Sequence, residues 1–245
     1  MLDALCHLPL FATDDEALAY FAQGASDGVT DVLCAGTDPC LPEAFDVHHV
    51  TRVHRAFGVH PQHASDELRD AQMRALEARL DGAPCRAVAI GECGFDHRPG
   101  QPPLDVQERT LRAQLAIARA RKLPVILHLV RTWVRALDII DEDGPLPGGG
   151  VWHGFAGPTE AIARAQKAGL AISIGGLVLN AWSRRLHEAL PSIPAEMLLV
   201  ETDMPHDPPV RLSAIVAEVA RLRGEDPGDV AKRTDANARR VFSLA

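Results

Sequence analysis

The sequence predicts an α/β fold, a TIM-type (β/α)8 barrel formed by residues 1–245 as a single domain, and three observations lead there. Eight short, nearly continuous apolar runs recur along the chain, stretches with helical spacing lie between them, and residues of metal-binding type stand at the carboxyl ends of most runs. Runs that are apolar at every position belong to strands buried on both faces, which makes the sheet parallel. Parallel neighbours need a long crossover, and a helix after each strand supplies it.

In order, the runs are Met1–Cys6, Asp31–Ala35, Arg55–Val59, Ala87–Ile90, Val125–Leu127, Gly150–Trp152, Leu170–Ile174 and Met197–Val200. After the first, the segment following Cys6 and His7 lacks the glycine-rich phosphate loop of an open doubly wound sheet, so closure into a barrel is favoured. Met73, Leu76 and Leu80 make an apolar stripe in a helix that begins near Asp66. Leu111, Leu115 and Ala118 do the same after Pro102 and Pro103, a pair suited to a helix start. The Pro- and Gly-rich stretch from Gly144 to Gly150 is a loop. Leu212, Ile215, Val216, Val219 and Leu222 give the last clear helical stripe. No linker or low-complexity segment interrupts the series.

A chain of 245 residues, 47% hydrophobic and 24% charged, is long enough for one barrel and apolar enough for a packed core. A formal charge of −8 argues against a broad nucleic-acid footprint while leaving room for a small site for a phosphate or a strand end. The cysteines, Cys6, Cys34, Cys40, Cys85 and Cys93, are odd in number and contain no CxxC pair, so they are expected to be reduced thiols rather than a structural zinc site. Without a leader pattern or an apolar run of about 18–20 residues, a cytoplasmic protein without a membrane span is expected.

Function in a parallel barrel collects at the carboxyl ends of its strands. Those ends read His7, Thr37, His60, Glu92, His128, His153, Gly175-Gly176 and Asp203. Imidazoles and carboxylates brought together there make a nitrogen and oxygen site for a divalent ion. Glu92, at the end of a buried strand, needs a cation or donors; the alternative is an ion pair with an arginine. His128 and His153 are metal ligands or hydrogen-bonded core residues. Asp203 is a ligand or general base, or else caps the next helix, although Pro205, Pro208 and Pro209 push that helix later. His60 and Asp96 lie past the strand ends and either touch substrate and support the ligands or hold their loops. Arg131 either binds an anionic group of the substrate or is a solvated helix-start residue.

The segments Gly58-Val59-His60-Pro61, Ala89 to Asp96, Pro124 to His128, His153 to Gly157, Ile172 to Gly176, Leu199 to Pro205 and Asn237 to Phe242, in that order, resemble the TatD family of metal-dependent hydrolases. The resemblance spans nearly the whole chain. It implies a TIM barrel with one or two divalent ions (zinc, magnesium or manganese) held by His7, Glu92, His128, His153 and Asp203. It also implies phosphodiester hydrolysis, as in the family's deoxyribonucleases. Two ions would share Glu92 as their bridge, and Asp203 would take the proton of the attacking water.

One departure stands out: the family usually opens with His-x-His, whereas Leu5-Cys6-His7 keeps only the second histidine, and Pro9 stands where many members carry an acidic residue. The ion nearest the first strand is therefore expected to be held more weakly. The expected substrate is a short or single-stranded nucleic acid, met by Arg131, Arg184 and Arg185, or another small ester-type molecule. The alternatives are an ester or amide hydrolase, such as one that removes a D-amino acid from transfer RNA, and a catalytically weakened binding protein.

Overall fold

The computed structural model describes residues 1–41, 51–82, 87–205 and 209–245. Eight strands form one sheet in sequence order: β1 (Leu2–Cys6), β2 (Asp31–Ala35), β3 (Arg52–Phe57), β4 (Ala87–Asp96), β5 (Val125–Val130), β6 (Gly150–His153), β7 (Leu170–Ile174) and β8 (Leu198–Val200). Every ladder between successive strands is parallel. Around them lie α1 (Asp14–Ser26), α2 (Arg69–Asp81), α3 (Leu104–Arg121), α4 (Trp133–Asp143), α5 (Thr159–Lys167), α6 (Arg184–Ala189), α7 (Leu212–Arg223) and α8 (Pro227–Val241).

Two apolar clusters follow from this arrangement. The smaller one draws Leu2, Leu33, Ala56, Ala89, Ile126, Val151, Ala171 and Leu199 from the eight strands in turn and adds Ala238 and Phe242 of the last helix and its end. It fills the barrel interior, so the mouth at the carboxyl ends is the place left for polar groups. The larger cluster joins the outward faces of the strands to the helices, including Leu212, Ile215, Val216 and Val219 of the expected stripe. At the amino end, buried Asp31 accepts hydrogen bonds from Thr30, Arg52, His54 and Arg239, tying β2 and β3 to α8.

β1 and β8 meet through less backbone pairing. A single bridge joins Cys6 to Met204, with His7 N donating to Met204 O at 2.7 Å and Asp203 N to Leu5 O at 2.9 Å. The Asp3 carboxylate adds two bonds from Thr202, to its N at 2.8 Å and its Oγ1 at 2.6 Å, and one from the Tyr20 hydroxyl at 2.7 Å. Burial pushes the Asp3 carboxyl up to about 6 against the pull of those donors.

Several boundaries differ from the sequence expectation. β4 continues past Ile90 to Asp96 and β5 past Leu127 to Val130, so Glu92, Asp96 and His128 lie within strands. Asp96 is thus not past its strand end. The apolar runs stop where side chains turn to the polar mouth, although backbone pairing goes on. The second helix starts at Arg69 rather than near Asp66, and β3 begins at Arg52. Cys6, Cys34 and Cys93 are free and buried and Cys40 is free and exposed; Cys85 and Pro208 lie outside the described residues. Among the described residues no helix is long and apolar enough to cross a membrane.

Candidate active site

Glu92 sits at the centre of the mouth because β4 is irregular there. The register against β5 shifts between Ile90 and Cys93, and Gly94 follows with φ +142°, where a Cβ would come 2.1 Å from His128 O. Only glycine permits that close approach, and it brings the β4 and β5 side chains together.

Each oxygen of the Glu92 carboxylate faces its own set of groups. Oε2 lies 3.0 Å from His7 Nε2, which is itself 3.2 Å from Asp203 Oδ1. Oε1 lies 2.5 Å from His153 Nε2 and 3.7 Å from His128 Nδ1, and those two nitrogens are 2.9 Å apart. Asp203 reaches in from a left-handed backbone with φ +54°. It stands nine residues before α7, so it does not cap that helix.

The imidazoles are oriented from behind. His7 Nδ1 donates to Ala35 O at 3.0 Å, so Nε2 is the nitrogen presented to the mouth, and it becomes a ligand once its proton is lost. His128 Nε2 points to Asp96 Oδ2 at 3.4 Å, and Asp96 is held in turn by the Arg98 guanidinium. His153 Nδ1 lies 3.4 Å from Glu201 Oε1, which also accepts from Gly154 N at 2.6 Å. A second carboxylate or carbonyl behind each histidine fixes the nitrogen presented to a metal.

The charges reinforce one another. Burial works against the charged forms of His7 and His153, but Glu92, with Asp203 and Glu201 respectively, outweighs it and holds both imidazoles well above their usual range. Burial likewise raises the Glu92 carboxyl, and the His153 and His7 charges bring it well below the ordinary value. Asp96, raised by burial and lowered more by Arg98, lies at about 2.

These residues fit a divalent ion. Glu92 Oε1 is buried with no hydrogen bond of ordinary geometry despite its approach to His153 Nε2. Two ring nitrogens and a carboxylate oxygen crowd together, as ligands at about 2.0–2.2 Å from one ion must. His60 joins them: its ligand atom lies within 4.8 Å of those of Glu92 and His128. Its Nδ1 accepts from Gln62 N at 3.2 Å, however, so the neutral ring carries its hydrogen on Nε2 and is a donor into the site. Burial holds it neutral, with its value brought down to about 3.

His7, Glu92, His128, His153 and Asp203 therefore meet in one place, with Asp96 and His60 beside them. Arg131 follows β5 at φ +64°, exposed, and makes no hydrogen bond or ion pair among the described residues. Leu5 is fully buried in the interior cluster. Two carboxylates went unremarked in the sequence. Glu201 ends an apolar run as Glu92 does, and Asp3 interrupts the first run, so the burial argument that singled out Glu92 applies to both.

The family model described as TatD related DNase matches residues 2–243. The chain belongs to this family. Among curated TatD relatives, the 3'-5' ssDNA/RNA exonuclease TatD of Pantoea vagans is 34% identical over 260 aligned positions, covering 96% of this chain and 95% of its own. That of Erwinia tasmaniensis is 35% identical over 254, with the same coverage. Among solved structures, the TatD homologue YjjV of Escherichia coli superposes with a TM-score of 0.87 at 26% identity, covering all of this chain and 98% of its own. A TatD family hydrolase of Entamoeba histolytica, at 16% identity and a TM-score of 0.81 over all of this chain and 98% of its own, shares the fold. TatD membership makes this chain a metal-dependent hydrolase of the nuclease type and favours neither the deacylase nor the weakened binding protein.

Proposed function

We propose that the chain is a metal-dependent exonuclease that removes nucleotides from the 3' end of single-stranded DNA or RNA. The observation that carries this reading is the split carboxylate of Glu92, one oxygen facing His7 and Asp203 and the other facing His128 and His153, in a chain of this family.

In this reading Glu92, His128 and His153 hold one divalent ion, and His7, Glu92 and Asp203 the other. Bound ions polarise a phosphodiester and bring the pKa of a water from 15.7 toward about 7. Asp203, kept ionised by its bond to His7 against the effect of burial, accepts the proton of the attacking water. His60 donates from Nε2 to a phosphoryl oxygen, and its neutrality at pH 7 keeps that hydrogen bond constant across the working range. Asp96 holds His128, and Arg131 offers its free guanidinium to a neighbouring phosphate.

Leu5 removes one expected ligand without displacing the others, because its side chain fills the interior while its carbonyl receives Asp203 N. The His7 ion is consequently the weaker of the two.

The test is hydrolysis of a 5'-labelled single strand with Mg²⁺, Mn²⁺ or Zn²⁺. Stepwise loss of 3' nucleotides is expected, with Asp203→Asn folded, metal-loaded and slower by about 10²-fold or more. Full activity of Asp203→Asn would remove its role, and ester or amide turnover without strand cleavage would overturn the nuclease reading.

A further inference from the structure

At the mouth of the barrel, one large apolar side chain has no packing partner to explain it. Trp182 is 82% exposed, more than any other large apolar residue among the described ones. It stands between β7 and α6. That segment leaves the strand at Gly175, where a Cβ would lie 3.5 Å from Glu201 Oε1. Chain reach from Gly175 to Trp182 is about 25 Å at most.

The segment fixes the backbone that carries the indole. Buried Val178 anchors a 3-10 turn over Gly176–Leu179, and His187 Nε2 donates to its carbonyl at 2.9 Å. Asn180 Oδ1 accepts from Trp182 N at 2.9 Å, and Trp182 O accepts from Arg184 N at 2.8 Å. Next come Arg184 and Arg185, both exposed and, among the described residues, without a side-chain hydrogen bond or ion pair. Two free guanidiniums beside a bare aromatic face are unusual on a chain of charge −8, where most of the described arginines are paired.

An aromatic platform flanked by cations suits a nucleobase with its phosphates: any base stacks, and the guanidiniums meet the backbone. A lipid surface or an apolar protein partner would make less use of the charges.

We infer that Trp182, with Arg184 and Arg185, is a stacking platform that holds a base of the single strand a few nucleotides on the 5' side of the bond being cut. The inference rests on the nuclease reading above. A preformed platform captures the retained part of the strand without a loop having to order, so the end left after each cut stays near the site.

The chain's other tryptophans allow a direct test. Trp152 is buried at 2% exposure and Trp133 is half-buried with its ring 6.0 Å from that of Trp152, so Trp182 is the tryptophan that a strand on the surface covers most. Metal-loaded protein is titrated with a phosphorothioate oligothymidylate of twelve bases while tryptophan emission is followed, and KM is measured for cleavable strands of two to twelve bases. Saturable, salt-sensitive quenching is expected in the wild type, with KM falling as the strand lengthens. Trp182→Ala removes most of the quenching, raises KM for the longest strand about tenfold with kcat retained, and flattens the length dependence; Trp182→Phe restores most of the binding. Arg184→Ala with Arg185→Ala lowers the salt sensitivity.

If the wild type cleaves strands and Trp182→Ala keeps its KM, or loses kcat instead, the platform is wrong and the nuclease reading stands. If the wild type neither binds nor cleaves any strand, both fall. Quenching by neutral vesicles but not by oligothymidylate also overturns the platform.

Discussion

Replacing Glu201 by glutamine keeps the shape of a fully buried side chain while removing its charge from behind His153. The carboxylate holds the imidazole from 3.4 Å and accepts from Gly154 N, whose left-handed φ of +55° turns that N–H toward it. An amide oxygen can keep the Gly154 bond but no longer favours a hydrogen on His153 Nδ1, so Nε2 becomes a poorer ligand. Partners behind metal-ligating histidines are worth about 10- to 100-fold in affinity, or about 1.4–2.7 kcal/mol. The loss should be confined to the ion shared by Glu92, His128 and His153, because Glu201 stands behind His153, a ligand of that ion alone. Competition against a chelating indicator resolves the two affinities, and circular dichroism reports the fold. Unchanged affinity, or an equal loss at both ions, would refute the argument.

Metal uptake should release protons. Glu92 holds His7 and His153 protonated near neutrality, and ions displace about two protons per fully loaded chain; calorimetry in buffers of different ionisation enthalpy counts them, with zero as the contrary result. Affinity then rises with pH until both imidazoles are neutral. Asp3 has a folded value near 6 against 3.8, so its contribution to stability is complete below about pH 4 and is lost as pH rises through 6, about 3 kcal/mol in all. Metal-free Asp3→Asn should therefore show a more positive slope of unfolding free energy between pH 4 and 6 than the wild type; equal slopes would mean that Asp3 does not titrate there. Asp31→Asn leaves Arg52, His54 and Arg239 facing a neutral amide and, because Arg52 is solvated and Arg239 keeps Asp235, should cost about 1–3 kcal/mol in denaturant unfolding, with turnover of the folded fraction preserved.

Much of this was legible because a buried parallel strand writes the same signal eight times. A continuous apolar run with His, Glu or Asp at or just past its end, read as a barrel strand, picked out His7, Glu92, His128, His153 and Asp203. The same rule stopped too early at Ile90 and Leu127, since a strand whose last side chains face a polar mouth ceases to look apolar before it ceases to pair. Register is a relation between strands, so the shift that turns Glu92 inward was hidden, although Gly91 and Gly94 marked it. Tautomers were hidden as well: His60 stands among ligand types, and only Gln62 N at its Nδ1 makes it a donor. Trp182 left no periodic trace at all, because exposure is set by what the rest of the chain fails to cover.

The first and last strands also give the barrel a clasp. Elsewhere neighbouring strands are joined along ladders, but between β1 and β8 the circle is fastened at one bridge by two backbone bonds and by the grip of Asp3 on Thr202. His7 and Asp203 stand on opposite sides of that fastening, 3.2 Å apart. An ion held between them would complete the hoop as well as the chemistry. Loading the weaker ion and locking the ring then become one event, and the hydrogen exchange of the amides of Leu5, His7 and Asp203 would report catalytic readiness directly.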